Sequence, residues 1–477
     1  MSDFPGQVRE LFGRIEKNNA WRQRRCINLI PSENTPSVLV KACELCDPAG
    51  RYAEHRTMKG NDVYFYQGTD FIRDVEHEAQ AALKQYFNCQ AVELRPISGQ
   101  MANEVVFKAV TRYVNRESPK GTFRKLRKVM NNHLGKGGHL SSQPMGALYN
   151  FVEIDPATGE ENCVNFPVLR DNPYRLDEPR IAELLREHRP ELIVFGKSMF
   201  LYPEPVKFVA EIARELDPRP VIMYDMAHVL GLYGAFQEPL AEGADIVTGS
   251  THKTFFGPQR GVIASNMAKG SDYRKLWLDI NSRAFPGSTS NHHLATLLGL
   301  LVATLEMNAF KSEYQQKVLK NARAFARQLA ERGLKVEGDP ADGYTHTHQV
   351  VVRVAEHGDG AAIARRLEEN NIIVNYQALP DDETFLVSSG IRTGVSEMTR
   401  FGMNEDDFAP VADLLARCVI RGEKVGDEVA AYRGKFMTMR YTLPLAESAG
   451  LFARALASSF PTNDYVQRFA ENLARLS

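Results

Sequence analysis

Four short apolar runs in the middle of the chain restrict its fold more than any other feature of the sequence. They are "ELIVFG", "PVIMYDM", "ADIVTGS" and "GVIAS", and helical segments such as "EPVKFVAEIAREL" occur between them. Strands that are apolar on both faces are typical of a mostly parallel sheet covered by helices on both sides. The sequence therefore predicts an α/β fold with such a sheet at its centre.

The length of 477 residues predicts more than one domain. Residues 1–45 are predicted to form an N-terminal arm that contains an amphipathic helix. Residues 46–310 hold the alternating strands and helices and are predicted to be the large domain. Residues 311–477 follow a long helical stretch and are predicted to be a smaller α+β domain. Within the large domain, "RKVM" and "ALYNFVEI" are further strand candidates.

The composition excludes several classes of protein. A net charge of −1 gives no electrostatic reason to expect nucleic acid or an anionic membrane as a partner. The longest apolar run, residues 294–305, is too short to span a bilayer. The N-terminal residues carry charges of both signs without an apolar stretch, so no secretory signal is expected. Six scattered cysteines fit reduced thiols, and the sequence predicts a cytoplasmic protein.

One cysteine pair, Cys43 and Cys46, has the C-x-x-C spacing of metal ligands. A zinc site needs a second pair of ligands, and none follows at usable spacing. The pair therefore fits two thiols on one helix face, and no metal is expected. The alternative is a zinc site shared with His292 and His293.

Reactive side chains follow three strand candidates, "AVELRPI", "PVIMYDM" and "ADIVTGS", at the sheet edge where ligands bind in doubly wound folds. Ser98 and Gly99 open a helix, whose N-terminus can bind a phosphate. Asp225 ends a buried strand, where a carboxylate needs a cation or a strong donor. Lys253 follows another strand, where burial makes an amine nucleophilic. Taken singly, these features also fit two helix caps and a lysine that reaches the surface.

Taken together, an anion site, an acid and a lysine are the three groups that hold pyridoxal 5'-phosphate. The helix N-terminus would hold the phosphate, Asp225 would keep the ring nitrogen protonated, and Lys253 would bind the aldehyde. The cofactor provides an electron sink for a carbanion at the α-carbon of an amino acid. Arg392, in "SSGIRTG" of the small domain, would bind the α-carboxylate through two parallel hydrogen bonds.

With these residues in place, the chain resembles the serine (glycine) hydroxymethyltransferases from about residue 8 to residue 420. The resemblance is carried, in chain order, by "LIPSEN", "RYAEH", "FYQGTDFIRDVE", "ISGQMAN", "GGHL", "YDMAHVLGL", "STHKTFFGP", "FPG" and "SGIRTG…MTRFGMNEDDF". It implies a fold-type I pyridoxal-phosphate transferase with a mostly parallel central sheet and a smaller C-terminal domain. It also implies a homodimer or a dimer of dimers, with active sites built at the subunit interface.

The resemblance assigns the reaction to Cα–Cβ cleavage and formation in β-hydroxy amino acids, with serine, glycine or threonine as the amino acid. An aldehyde or a one-carbon carrier is the second substrate, and tetrahydrofolate is a possible carrier. Glu54 would take the proton of the substrate hydroxyl, which is a suitable role for a carboxylate. Tyr52, from the partner subunit, and Tyr66 would lie beside it.

The resemblance implies several further contacts. His139 would stack on the cofactor ring, and His228 would hydrogen-bond near the cofactor's 3-oxygen. Ser32 would join Arg392 in binding the substrate carboxylate. The other cofactor contacts that the resemblance implies, besides Ser98 and Gly99, are Gln100, Ser198, Thr251, Gly287 and Ser288.

The chain departs from the family pattern at two single positions and in two segments. Gln100 stands in place of a serine, and Gln259 in place of an arginine, with Arg260 one residue later. The glycine-rich loop of the family is "FPGSTSNHH" at residues 285–293. The segment "HRTMKGND" after Glu54 is longer and more basic than usual, where the family admits its folate.

These departures leave two hypotheses for the substrate. "GPQ" before a basic residue and the "THTHQV" block resemble the threonine transaldolases, which belong to the same superfamily and need no folate. The "YAE" block matches the folate-using enzymes better, and hydroxymethyl transfer is the favoured reaction. A non-catalytic relative would lack Lys253, Asp225 or Arg392, and all three are present.

Overall fold

The computed structural model describes residues 3–58, 61–119, 121–267, 270–271, 273–384 and 387–476. Within these ranges the helices are α1 (Phe4–Arg24), α2 (Val38–Cys43), α3 (Asp70–Phe87), α4 (Gly99–Val114), α5 (Glu178–His188), α6 (Val206–Ala213), α7 (Pro239–Glu242), α8 (Arg274–Ala284), α9 (Leu294–Glu331), α10 (Gly360–Glu369), α11 (Ser396–Arg400), α12 (Phe408–Arg421), α13 (Gly426–Arg433), α14 (Leu445–Ser458) and α15 (Asn463–Leu476). The strands are β1 (Ile27–Asn28), β2 (His55–Met58), β3 (Asn61–Tyr64), β4 (Ala91–Glu93), β5 (Val129–Asn131), β6 (Cys163–Asn165), β7 (Leu192–Gly196), β8 (Val221–Asp225), β9 (Ile246–Ser250), β10 (Gly261–Ser265), β11 (Lys335–Val336), β12 (Gln349–Arg353), β13 (Ile372–Ile373), β14 (Asn375–Gln377) and β15 (Gly390–Gly394).

The central sheet has seven strands in the order β4-β10-β9-β8-β7-β5-β6. The last five are mutually parallel, whereas β10 runs antiparallel to both β9 and β4. The four apolar runs of the sequence form β7, β8, β9 and β10, and all residues of these strands are buried. The prediction of an α/β fold with a mostly parallel sheet is therefore confirmed.

One predicted strand is wrong. The segment "ALYNFVEI" forms turns, and only Val152 and Ile154 make isolated β-bridges. The Tyr149 N–H donates to the Gly146 carbonyl in a turn and is therefore not available to pair with a neighbouring strand. Asn150 has a left-handed φ of 67°, which is incompatible with an extended strand. The neighbouring prediction, "RKVM", is confirmed as β5.

The C-terminal part of the chain contains an antiparallel sheet in the order β11-β12-β15-β14. β1, from the predicted arm, pairs in parallel with β13 near this sheet. The predicted domain boundary at residue 310 lies inside α9, which runs without interruption to Glu331. The division into three segments stays a prediction.

α9 is long and apolar enough to cross a bilayer by length and composition, but half of its most apolar window is buried in the protein. Its polar side chains are also bonded inside the fold. Gln315 donates to the carbonyls of Gly231 and Tyr233, and Asn321 donates to the Thr399 hydroxyl. Buried amides with protein partners are typical of a core helix.

Candidate active site

β8 and β9 bring Asp225 and Lys253 to the same edge of the sheet. The two strands are adjacent and parallel, and Asp225, the last residue of β8, lies opposite Thr248. Lys253 follows the end of β9, and only 8% of it is exposed. Burial lowers the pKa of its amine from 10.5 to about 8; the charge of Asp225 opposes this shift and that of Arg392 adds to it. The amine is thus partly neutral near physiological pH, as a nucleophile requires.

Asp225 is a buried carboxylate with every oxygen bonded. Its Oδ2 lies 2.5 Å from Nδ1 of His139 and accepts a 2.8 Å hydrogen bond from Nδ2 of Asn103. Its Oδ1 accepts from the N–H of Ala227 at 2.9 Å. Burial alone would raise the pKa of Asp225, but the charge of His139 and these hydrogen bonds lower it below its ordinary value.

His228 lies beside this pair. Its ring meets that of His139 edge-on, with centroids 5.2 Å apart. Burial, with the charges of Lys253 and Arg392, holds the pKa of His228 well below its usual value, so the ring is neutral. Its Nδ1 is buried and has no hydrogen-bond partner among the described residues. A buried ring nitrogen without a protein partner is available to bond a ligand atom.

The N-terminus of α4 faces the end of β9. Ser98 is the N-cap, and its hydroxyl accepts a hydrogen bond from the Met101 N–H at 3.1 Å. A Cβ on Gly99 would lie 2.2 Å from Oγ of Ser250, so a larger residue there would force the Ser250 side chain to move. Gln100, which follows, is exposed. The helix start is therefore a glycine turn whose N–H groups suit an anion.

These residues fit pyridoxal phosphate on three counts. A buried amine with a lowered pKa would hold its aldehyde, an ionised carboxylate would hold its ring nitrogen, and an open helix N-terminus would hold its phosphate. The unpartnered Nδ1 of His228 gives a fourth contact at the same sheet edge.

Arg392 reaches this site from β15. Its guanidinium donates through Nη1 to the main-chain carbonyl of Ser198 and through Nε to Oδ1 of Asn375. The same carbonyl of Ser198 accepts from the Gln349 amide. Burial lowers the pKa of Arg392 to about 10, and no acidic residue in the described part of the chain forms an ion pair with it. A buried guanidinium without a carboxylate partner suits an anionic substrate group.

Ser32 is half-buried beside a cavity of about 640 Å³ that His252 and Gln259 also line. Asn34, two residues later, donates to the main-chain carbonyl of Lys253 at 3.0 Å. The segment that carries Ser32 is thus attached to the loop that carries the lysine.

Tyr52, Glu54 and Tyr66 form a separate group at the base of the β2–β3 hairpin. The Tyr66 hydroxyl lies 3.4 Å from Oε2 of Glu54, and the rings of Tyr52 and Tyr66 are 5.2 Å apart. Tyr52 is 54% exposed and Tyr66 is 41% exposed. Within the described ranges, none of the three makes a hydrogen bond to Lys253, Asp225 or Arg392. Residues 59–60 of "HRTMKGND" lie outside the described residues.

Comparisons with known proteins identify the family of the chain. A model of the serine hydroxymethyltransferase family matches residues 7–415. The chain belongs to the serine hydroxymethyltransferase family.

Curated members of the family align with most of the chain. The serine hydroxymethyltransferase of Staphylothermus marinus is 38% identical over 446 residues, covering 91% of this chain and 93% of that protein. The serine hydroxymethyltransferase of Archaeoglobus fulgidus is 37% identical over 435 residues, covering 89% of this chain and 91% of that protein. A solved structure of L-threonine transaldolase from Pseudomonas fluorescens, in its internal aldimine state, is 26% identical with a TM-score of 0.78, covering 96% of this chain and all of that one.

The family confirms the resemblance that the sequence motifs carried. The chain is a pyridoxal-phosphate enzyme of the transferase class with the fold of the hydroxymethyltransferases. The individual site roles remain predictions. For Thr251, the structure shows the hydroxyl donating to the Pro258 carbonyl within the loop after Lys253. For Gly287 and Ser288, it shows both accepting from Nζ of Lys108 on the outer side of α4.

The structure adds residues that motif reading did not single out. Asn103 bonds Asp225, the Thr248 hydroxyl and the Ser141 hydroxyl, all buried. The sequence signal for Asn103 is an amide one helical turn after Gly99, in an otherwise apolar helix face. His348, in the "THTHQV" block, lies fully buried and its Nε2 is 3.0 Å from the Pro31 carbonyl. Burial, together with the charges of Arg392 and Lys253, lowers the pKa of His348 to about 3.

The zinc alternative has no support in the described part of the chain, which contains no group of three or more potential metal ligands. The Cys43 thiol donates to the Leu39 carbonyl within its own helix turn. The His292 ring accepts a hydrogen bond from the Arg260 guanidinium through its Nδ1, so this nitrogen is not free to bind a metal.

Proposed function

We propose that this chain cleaves and forms the Cα–Cβ bond of β-hydroxy amino acids and transfers the hydroxymethyl group of serine to a folate carrier. One observation carries the proposal: the buried carboxylate of Asp225 and the buried guanidinium of Arg392 both lie close enough to the buried amine of Lys253 to shift its pKa. The pKa of Lys253 responds to both Asp225 and Arg392. Lysine, carboxylate and arginine are the groups that hold pyridoxal phosphate and an amino-acid carboxylate.

In this proposal each residue has one task. Lys253 holds the cofactor aldehyde and Asp225 keeps a proton on the ring nitrogen. When bound, the cofactor provides the electron sink that stabilises negative charge at the substrate α-carbon. Arg392, with Ser32, binds the α-carboxylate and orients the bond to be broken. Glu54 takes the proton from the substrate hydroxyl as the aldehyde leaves, and returns it in the reverse direction.

The proposal includes a homodimer in the cytoplasm. Tyr52 and Tyr66 expose large aromatic surfaces beside Glu54, and within the described residues none of the three forms a hydrogen bond with the lysine of its own chain. A second copy that places this group over its partner's Lys253 would bury the rings and supply the hydroxyl base.

A second candidate is folate-independent transfer of the glycine unit of threonine to another aldehyde. It is favoured by Gln259, which lines the cavity next to Ser32 where the family has an arginine, and by His348 of the "THTHQV" block. The similarity to the Pseudomonas fluorescens transaldolase supports the same candidate.

Two assays of the purified holoenzyme separate the candidates. Serine is supplied with and without tetrahydrofolate, and threonine is supplied with and without an aromatic aldehyde. Folate-stimulated cleavage of serine is expected for the hydroxymethyltransferase. Acetaldehyde release from threonine, with no folate-stimulated cleavage of serine, would replace that function by the transaldolase.

A further inference from the structure

Arg260, displaced by one position from the family's arginine, is a fully buried cation that joins three segments. Its guanidinium donates to the carbonyls of His292 and His293, to the Thr296 hydroxyl at 2.9 Å and to the Leu94 carbonyl at 2.8 Å. Its main-chain N–H donates to Oγ1 of Thr251 at 3.1 Å, which ties it to the loop of Lys253. Two departures from the family pattern, "GPQR" and "SNHH", are therefore in direct contact.

The ring of His292 extends the same network towards the β2–β3 hairpin. Its Nδ1 accepts from Nη2 of Arg260 at 3.0 Å. Its Nε2 lies 3.9 Å from Oε2 of Glu76, and Oε1 of Glu76 lies 3.6 Å from Nε2 of His55, the first residue of β2. All four side chains are buried. The loop at residues 290–293 is thus fixed against both the lysine loop and the hairpin.

Asn291, which precedes His292, holds the segment that carries Tyr52. Its Nδ2 donates to the Arg51 carbonyl at 2.6 Å, and its Oδ1 accepts from the Ala53 N–H at 3.3 Å. One amide therefore bonds the main chain on both sides of Tyr52. Such a two-point contact restrains the rotation of the peptide units between its ends.

Glu54 follows this restrained segment directly. Its main-chain carbonyl accepts from the Phe65 N–H at 3.0 Å, and its carboxylate contacts the Tyr66 hydroxyl. The position of Glu54 is consequently set by Asn291 on one side and by the hairpin on the other.

We infer that Asn291, fixed by Arg260 through the backbone of His292 and His293, is a positioning residue for Glu54, acting through the segment that carries Tyr52. The inference rests on the proposed function, in which Glu54 handles the substrate hydroxyl proton. The inference gives the altered loop a function. The side-chain amide of Asn291 stands in a loop that is glycine-rich and flexible in the family, and it holds Glu54 in place. Positioning errors of about 1 Å reduce rates by about 10²-fold.

The test compares two reactions of one holoenzyme. Cleavage of serine or threonine needs a base for the hydroxyl proton, whereas solvent exchange of the glycine α-proton does not. In Asn291→Ala, cleavage is expected to fall by about 10- to 100-fold. Glycine exchange, the visible absorbance of bound cofactor and the melting temperature are expected to stay close to those of wild type. Equal losses in cleavage and exchange would overturn the inference, since they indicate a general structural role.

A double-mutant cycle with Glu54→Gln sharpens the result. If Asn291 acts through Glu54, the double variant cleaves no more slowly than Glu54→Gln alone; additive losses would overturn the inference. If Glu54→Gln itself leaves cleavage intact, the proposed role of Glu54 fails instead, and the two failures are distinguishable. Asn404→Ala, an exposed asparagine in the turn before α12, is the matched control. Arg260→Ala would remove the guanidinium donor from five acceptors at once, so Asn291 is the better variant.

Discussion

The Nδ1 of His139 lies 2.5 Å from Oδ2 of Asp225, so the histidine expected to stack on the cofactor ring also binds the carboxylate expected to hold the ring nitrogen. The same oxygen accepts from Asn103. The carboxylate is therefore ionised and oriented in advance, and its pKa lies below the ordinary value for an aspartate. Preorganised charge of this kind needs little rearrangement when a cationic ring nitrogen is bound.

Replacing Asp225 with asparagine is expected to weaken cofactor binding and to lower kcat by about 10²–10³-fold, because a neutral amide no longer favours a proton on the ring nitrogen. Cofactor titration by absorbance and initial rates measure the two effects. Asp217→Asn, at an exposed aspartate, is the control. Unchanged rates and unchanged cofactor affinity in Asp225→Asn would contradict the assigned role.

Replacing Lys253 with methionine is expected to abolish the absorbance of lysine-bound cofactor and to stabilise the cofactor-free protein by about 1–2 kcal/mol below pH 8. Burial lowers the pKa of Lys253 from 10.5 to about 8, so the unfolded chain binds this proton more tightly than the folded chain. Wild type therefore gains stability as the pH rises from about 8 to 10.5, and the difference between the proteins narrows over that range. Thermal unfolding of both apoproteins at several pH values measures this difference in stability. A difference that does not depend on pH would contradict the lowered pKa.

Replacing Arg392 with lysine is expected to raise the KM for the amino acid at least about 10-fold, because an ammonium cannot make two parallel hydrogen bonds to a carboxylate. Cofactor affinity is expected to change little. The sharper measurement uses a β-hydroxy amine without the carboxylate as a competitor. Wild type should prefer the amino acid strongly, and the variant should prefer it much less. An unchanged preference would place the substrate carboxylate elsewhere.

The buried pair of Lys197 and Glu204 allows a prediction about stability alone. Its Nζ and Oε1 are 2.6 Å apart, and Asn132 donates to the other oxygen of Glu204. Lys197→Met leaves a buried carboxylate without its cation and is expected to lower the free energy of unfolding by about 3–5 kcal/mol. Denaturant unfolding of wild type and variant measures this difference in the free energy of unfolding. The double variant Lys197→Met/Glu204→Gln should recover part of the loss; no recovery would indicate that packing, rather than charge, is responsible.

Much of the fold and of the site could be predicted because the relevant signals are local. The runs that form β7 to β10 are apolar on both faces, and such strands have few alternatives to a covered sheet. Parallel strands in such a sheet end at a common edge, so the sequence pattern alone predicts that Asp225 and Lys253 lie at the same edge. The failure at "ALYNFVEI" has a local cause as well, since Asn150 takes a left-handed conformation that apolarity does not reveal.

The sequence by itself determined the sheet, the cofactor and the family, because these depend on strand patterning and on motifs whose residues are close in the chain. Only the tertiary structure decided which residues that differ from the family pattern contact one another when they are far apart in the sequence. Arg260 and His292 are 32 residues apart, yet one guanidinium binds the histidine ring and its carbonyl. Asn291 meets Arg51 and Ala53 across about 240 residues of chain. A hydrogen bond depends on the separation and angle of two groups in space, and spacing along the sequence does not contain that information.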